Sequence, residues 1–195
     1  MKKYIFAFTG ASGQILGLRV LSELVKKSHV YVIVSSGALS ILREETGLNL
    51  SCEAPTALLR NHFKSNNIDF FPDSNLHAPI SSGSFDVDGM FIVPCSMKTL
   101  ASVANGLAGN LIERSADVTI KEGRPLLLSP REMPLSAIHI ENMLKLSRLG
   151  VRIAPPIPAF YHKPESIDEM LNFLTGKILD CMGIDNNLFN RWGGS

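Results

Sequence analysis

Two rhythms of apolar residues alternate along the chain. Short unbroken apolar runs, Tyr4–Phe8, His29–Val34, Gly89–Val93, Pro125–Ser129 and Gly150–Ala154, predict strands buried on both faces. Between them the apolar positions recur at helical spacing. In the first such stretch, Gln14–Lys27, they are Ile15, Leu16, Val20, Leu21, Leu24 and Val25. Further helices are expected at Ala38–Glu45, after Thr99, and at Asn110–Lys121, Ser136–Leu149 and Ser166–Met182. Ser166 caps the last of these, Asp168 and Glu169 fill its first turn, and Gly183 follows its end. Strands that alternate with helices predict an α/β domain with a mostly parallel sheet. The stretch Gly47–Asp73 keeps neither rhythm. It holds polar residues, Pro55 and Pro72, and reads as an excursion or flap.

The strand-to-helix turns carry the candidate chemistry. Tyr4–Phe8 runs into Thr9-Gly10-Ala11-Ser12-Gly13 and then into a helix. Glycine permits left-handed backbone angles and close approach of a ligand to the main chain. A helix N-terminus there offers N–H groups and a positive dipole end to an anion. Ser12 adds a hydroxyl donor or reactive group. The glycines Gly10, Gly13 and Gly17 do not make the G-x-G-x-x-G dinucleotide fingerprint, and Ser35 and Ser36 stand where a ribose-binding acid would follow the second strand. A mononucleotide such as FMN therefore suits the turn better than NAD, and an empty βα turn is the bland alternative. Ser35-Ser36-Gly37 is a second contact of this kind, and Pro94-Cys95-Ser96-Met97-Lys98-Thr99 a third. Cys95 reads as a packed small residue. Arg131 and Glu132 stand between Pro130 and Pro134 at a strand end, a place where charge is more often functional than on a helix face. Glu113, Arg114 and Asp117 read as a solvated or interface charge cluster.

Composition narrows the class. The chain has 195 residues, 45% of them hydrophobic and 19% charged, which predicts one folded domain with a sizeable core. A net charge of +1 offers nothing to nucleic acid or an anionic membrane. Low charge with positive mean hydropathy is consistent with self-association, and equally with a large core. Cys52, Cys95 and Cys181 have no metal-ligand spacing and cannot all pair, which fits the cytoplasm. The N-terminal apolar run is interrupted at Gly10 and reads as a core strand, not a signal peptide. No apolar run approaches the roughly 20 residues of a membrane span. The lone tryptophan, Trp192, stands in a tail expected to dock on its own fold or on a neighbouring subunit.

Taken together, TGASG at 9–13, SSGS at 81–84, PCSMKTL at 94–100, NLIERSADV at 110–118, PRE at 130–132, HIENMLKLS at 139–147, PAFYHKPESI at 158–167 and RWG at 191–193 resemble the flavin prenyltransferases of UbiX type. The resemblance spans nearly the whole chain, in order. It implies a single Rossmann-like (flavodoxin-like) three-layer domain over 1–195, with a C-terminal oligomerisation tail. It implies a metal-independent enzyme that joins the dimethylallyl group of dimethylallyl monophosphate to N5 and C6 of reduced FMN. The prenylated FMN serves UbiD-type decarboxylases. Family members form large homo-oligomers, commonly dodecamers, with active sites between subunits. By position, Gly10, Ala11, Ser12, Ser35, Ser96, Met97, Lys98, Thr99 and Arg131 match flavin contacts. Lys121, Arg131, Tyr161 and Lys177 match the prenyl-phosphate site, and Ser12, Glu45 and Glu132 match residues that handle protons. Lysine at 177 keeps the charge of the arginine common there but loses its bidentate fork. Ser36, where some relatives have lysine, receives no role.

The residue types suit that chemistry. A departing phosphate needs cations and donors that strengthen as charge develops on it, and Lys121, Arg131, Lys177 and the Tyr161 hydroxyl are of that kind. Glu132 suits a base or orienting group for the proton lost from C6. The rival class is the FMN-dependent cysteine decarboxylases, which rely on a histidine near the first helix and a PASANT-like loop. This chain has no histidine before His29, and PCSMKT replaces that loop. A non-catalytic flavin store is a third reading. Older labels of the family as aromatic-acid decarboxylases describe the partner enzyme's step.

Overall fold

The computed structural model describes residues 1–191. The chain winds as β1 (Lys2–Phe8), α1 (Gln14–Leu24), β2 (Ser28–Val34), α2 (Ser36–Thr46), α3 (Pro55–Phe63), β3 (Ile68–Pro72), β4 (Gly89–Cys95), α4 (Met97–Ala104), α5 (Leu111–Lys121), β5 (Leu126–Pro130), α6 (Ala137–Arg148), β6 (Arg152–Ile153) and α7 (Ile167–Cys181). All six strands are parallel, in the order β3-β2-β1-β4-β5-β6. The chain therefore builds outward from β1 in one direction, returns, and builds outward in the other. The turns after β1 and β4 flank the point where this direction reverses, which is where open α/β sheets leave a crevice.

Strand alternation divides the core in two. Tyr4, Phe6, Phe8, Phe91 and Val93 face α1, α2 and α7. Ile5, Ala7, Met90 and Ile92 face α4, α5 and α6. Phe6 stacks on Phe91 at 5.9 Å, and Tyr4 meets Phe91 edge-on at 5.6 Å. Burying each such ring is worth about 1.5–3 kcal/mol. Helix α1 reaches the crevice because Gly17 has no side chain. A Cβ there would stand 2.6 Å from the Phe8 ring and closer still to the Val93 carbonyl oxygen.

The stretch 47–73 is no flap: it holds α3 and the edge strand β3. Its polar residues pair with one another, which hides the rhythm. Asp69 of β3 accepts from Arg60 Nη2 at 2.8 Å and faces His29 Nε2 at 2.9 Å. Pro55 opens α3, where its missing N–H costs nothing. A second correction concerns the 113–117 charges. Glu113 is buried, and its Oε2 accepts from Gly109 N at 2.8 Å, so it ties down the start of α5. Arg114 does pair with Asp117, at 3.0 Å. Strand β6 shortens to two residues and β1 begins at Lys2. Among the described residues no helix is long and apolar enough to cross a membrane. The docking expected of Trp192 lies outside the described residues; Asn186–Arg191 before it does pack on α7.

Candidate functional site

The crevice at the carboxyl edge of the sheet is built by sewing three turns together. Thr9, only 1% exposed, is the central stitch. Its Oγ1 donates to Pro94 O at 2.9 Å and accepts from Ser96 N at 2.7 Å. Ser35 N donates to Phe8 O at 2.9 Å, which draws in the β2 turn. Gly10 lies against that turn, since a Cβ on it would meet Gly37 O at 3.4 Å. Arg131 N donates to Cys95 O at 3.1 Å and brings the β5 turn alongside.

Gln14 holds the first turn from below. Its fully buried side chain donates to Thr9 O at 2.8 Å and to Ala11 O at 2.7 Å, while Oε1 is buried with no hydrogen-bond partner among the described residues. Gly13 has φ +102°, a left-handed angle that strains any residue with a Cβ. Together they leave Ser12 exposed at the rim.

The N–H groups of Gly13 and Gln14 at the start of α1 are not open. Glu45, on the last turn of α2, accepts from Gly13 N at 3.1 Å and from Gln14 N at 2.8 Å. The carboxylate satisfies the dipole end that the sequence offers to a phosphate, by the same physics. It also sets Glu45 one residue from Ser12. At α2 the pattern repeats, with Asp73 Oδ2 accepting from Ser36 N at 3.1 Å. At α4, Ser96 Oγ accepts from Thr99 N at 3.3 Å and donates to Thr99 Oγ1 at 3.1 Å. Ser96 and Thr99 thus cap α4, Met97 is half-buried, and Lys98 is exposed. Cys95 is wholly buried, and burial pushes its thiol far above the usual range, as a packed residue requires.

Other residues assigned from sequence lie further off. Arg131 and Glu132 are exposed on the β5 turn, with Glu132 Oε1 accepting from Met133 N at 3.0 Å. Tyr161 lies on the proline-rich loop after β6, its ring edge-on to Phe173 at 5.8 Å. Lys177 and Phe173 share a cavity of about 370 Å³ whose other walls include Pro155, Ile157 and Ile178. An apolar cavity with one ammonium group suits a short hydrocarbon chain that ends in an anion. Lys121 is not brought to this edge. It ends α5 just before β5 begins, at the amino edge of the sheet, and pairs with Glu122 at 2.9 Å. Among the described residues no three His, Cys, Asp or Glu side chains gather as metal ligands.

Thr9 and Gln14 received no role from sequence. A polar residue on each side of a glycine turn is the only local signal they give. Their work depends on the β4 turn and on burial.

Small-residue turns and helix N-termini at the switch point of a parallel sheet make this a nucleotide-binding α/β domain in architecture. The family model described as Flavoprotein matches residues 1–179. Over 191 residues, 98% of each chain, the sequence is 44% identical to flavin prenyltransferase UbiX of Methanocaldococcus jannaschii. Among solved structures, AnUbiX (PadA1) in complex with FMN and dimethylallyl pyrophosphate superposes with a TM-score of 0.90 at 39% identity, covering 100% of this chain and 98% of that one. A dodecameric FMN-dependent UbiX-like decarboxylase from Escherichia coli O157:H7 gives 0.88 at 42% identity, covering 98% and 100%. The chain belongs to the flavoprotein family, in its branch of UbiX-type flavin prenyltransferases.

Proposed function

We propose that this protein transfers the dimethylallyl group of dimethylallyl monophosphate to N5 and C6 of reduced FMN, and that the prenylated FMN passes to a UbiD-type decarboxylase in the cytoplasm. The observation that carries this reading is the stitched crevice, in which Ser12, Glu45, Ser35 and Ser96 come together at the switch point, in a chain 44% identical to a named flavin prenyltransferase.

The residues present fit FMN. Gly10 and Ala11 allow close approach to the backbone, the Ser12 and Ser35 hydroxyls and the exposed Lys98 offer donors around the crevice, Ser96, Met97 and Thr99 shape its third turn, and Arg131 brings a guanidinium to its side. The flavin, when bound, supplies the nucleophilic ring. Glu45 is already anchored on α1, so its carboxylate can hold or accept a proton next to Ser12. Ser12 is exposed and can relay that proton. Glu132 serves as a second proton acceptor on the β5 turn. Lys177 and the Tyr161 hydroxyl bind the prenyl phosphate and favour its departure without a metal, because cations held in place stabilise charge as it develops.

Lys121 acts in this scheme only from another copy of the chain, since its own fold keeps it at the opposite sheet edge. Exposed apolar residues support such an assembly: α6 presents Ile138, Ile140 and Leu144, and the site loops present Met133, Ile157 and Phe160. A dodecamer of the kind named for the E. coli neighbour is the assembly we propose. The cysteine-decarboxylase reading gains no support, since α1 contains no histidine.

One experiment tests the function. Incubation with reduced FMN and dimethylallyl monophosphate under anaerobic conditions yields prenylated FMN by mass spectrometry. Unchanged flavin after prolonged incubation with active-site concentrations of protein overturns the proposal.

A further inference from the structure

The segment Asn186–Arg191 is fastened to α7 by contacts that the chemistry above does not use. Gly176 makes the fit possible. A Cβ there would stand 2.5 Å from the Phe189 ring and 2.7 Å from Asn186 Oδ1, so glycine leaves the notch that the segment fills. Asn186 Nδ2 donates to Gly176 O at 3.2 Å and to Asp180 Oδ1 at 2.9 Å. Arg191 closes the clasp with two hydrogen bonds to Asp180, at 2.9 and 2.7 Å. Its guanidinium lies 5.5 Å from the centre of the Phe189 ring.

The clasp presses one ring into a stack. Phe189 meets the buried Phe173 edge-on at 5.0 Å. On Phe173 lie His162, stacked at 4.6 Å and 16°, and Tyr161, edge-on at 5.8 Å. Both ring nitrogens of His162 are buried with no hydrogen-bond partner among the described residues, and stacking on Phe173 seats this ring. Tyr161 stands on the loop that follows β6. Its backbone bonds from Ile157 N to Pro155 O and from Lys163 N to Phe160 O are local. Lys177 follows Gly176 directly on α7.

We propose that the Asn186–Arg191 segment is a positioning element for the prenyl-phosphate site: through Phe189 and Phe173 it sets where Tyr161 and Lys177 stand. Phe189 and His162 are positioning residues outside that cavity, and Phe173 carries their position to its wall. The inference rests on the reading that Tyr161 binds the prenyl phosphate.

Gly176→Ala is the sharpest test. Alanine favours the helix over glycine, so α7 itself is not weakened while the notch is filled. Displacement of a binding group by a fraction of its reach costs much of its effect, so kcat/KM for dimethylallyl monophosphate falls about tenfold or more, with FMN affinity changed by less than about twofold. Phe189→Ala gives the same split, and Phe189→Leu, which keeps apolar bulk against Phe173, recovers part of the loss. Unchanged kcat/KM in Gly176→Ala and Phe189→Ala, with Tyr161→Phe impaired, overturns the positioning role alone. FMN affinity lost in parallel with kcat/KM also overturns it, because that marks general damage. Wild-type turnover in Tyr161→Phe removes the prenyl-phosphate reading itself, and this proposal with it.

Discussion

Thr9→Val is the most informative single change at the crevice. Valine keeps the shape of threonine and removes only the hydroxyl, at a side chain 1% exposed. Two bonds go: the donation to Pro94 O at 2.9 Å and the acceptance from Ser96 N at 2.7 Å. Their losses are unequal. Pro94 O still accepts from Thr9 N at 3.3 Å, so it stays paired. Ser96 N loses this partner at a half-buried site, and leaving such a donor unsatisfied costs about 1 kcal/mol, the low end for a buried group. For a chain of this size each kcal/mol lowers the melting temperature by about 2–4 °C. The same bond is what fixes the Ser96 turn against the β1 turn, so FMN affinity falls together with stability. Thermal unfolding and flavin fluorescence titration read the two effects in one preparation. Thr9→Ser, which keeps the hydroxyl, recovers most of both. If Thr9→Val melts and binds FMN like the wild type, the stitch has no energetic weight and the account of how the crevice is assembled is wrong.

Three further outcomes are expected. Tyr161→Phe and Lys177→Ala spare FMN binding and slow prenyl transfer, by about 10²–10³ for loss of one donor from a preorganised anion site; steady-state kinetics beside flavin titration checks the split. Arg131→Ala and Lys121→Ala chains, each inactive alone, regain activity when refolded together, because one copy's Lys121 then meets another copy's intact Arg131 turn; mixtures no more active than their parts exclude a shared site. The Arg191 hydrogen bonds hold the Asp180 carboxyl below its ordinary 3.8, so the clasp adds stability above that pH and loses it as pH falls through the lower folded value. The stability gap between wild type and Arg191→Ala, measured by denaturant titration, therefore narrows below about pH 4 and stays flat above it.

Much of this protein is determined by short-range pattern. Apolar runs of strand length, helical spacing from Ile15 to Val25, and the glycines of the first turn specify β1, α1, β2, β4 and β5 to within three residues, because each rule concerns neighbours in the chain. Ser12, Ser35, Ser96 and Arg131 could be placed near one another on the same ground: they follow strand ends, and parallel strands end on one edge. What tertiary structure alone decided are pairings across distance. Nothing local shows that the polar residues of 47–73 pair among themselves and with His29 to make an edge strand. Nor does it show that Glu45 reaches back 31 residues to cap α1, or that Thr9 is bonded across 87 residues to Ser96. Lys121 is the clearest case. Its sequence position gives it a place in a motif, but α5 runs antiparallel to the strands and carries it to the opposite edge. Only a second copy of the chain could bring it to the proposed site.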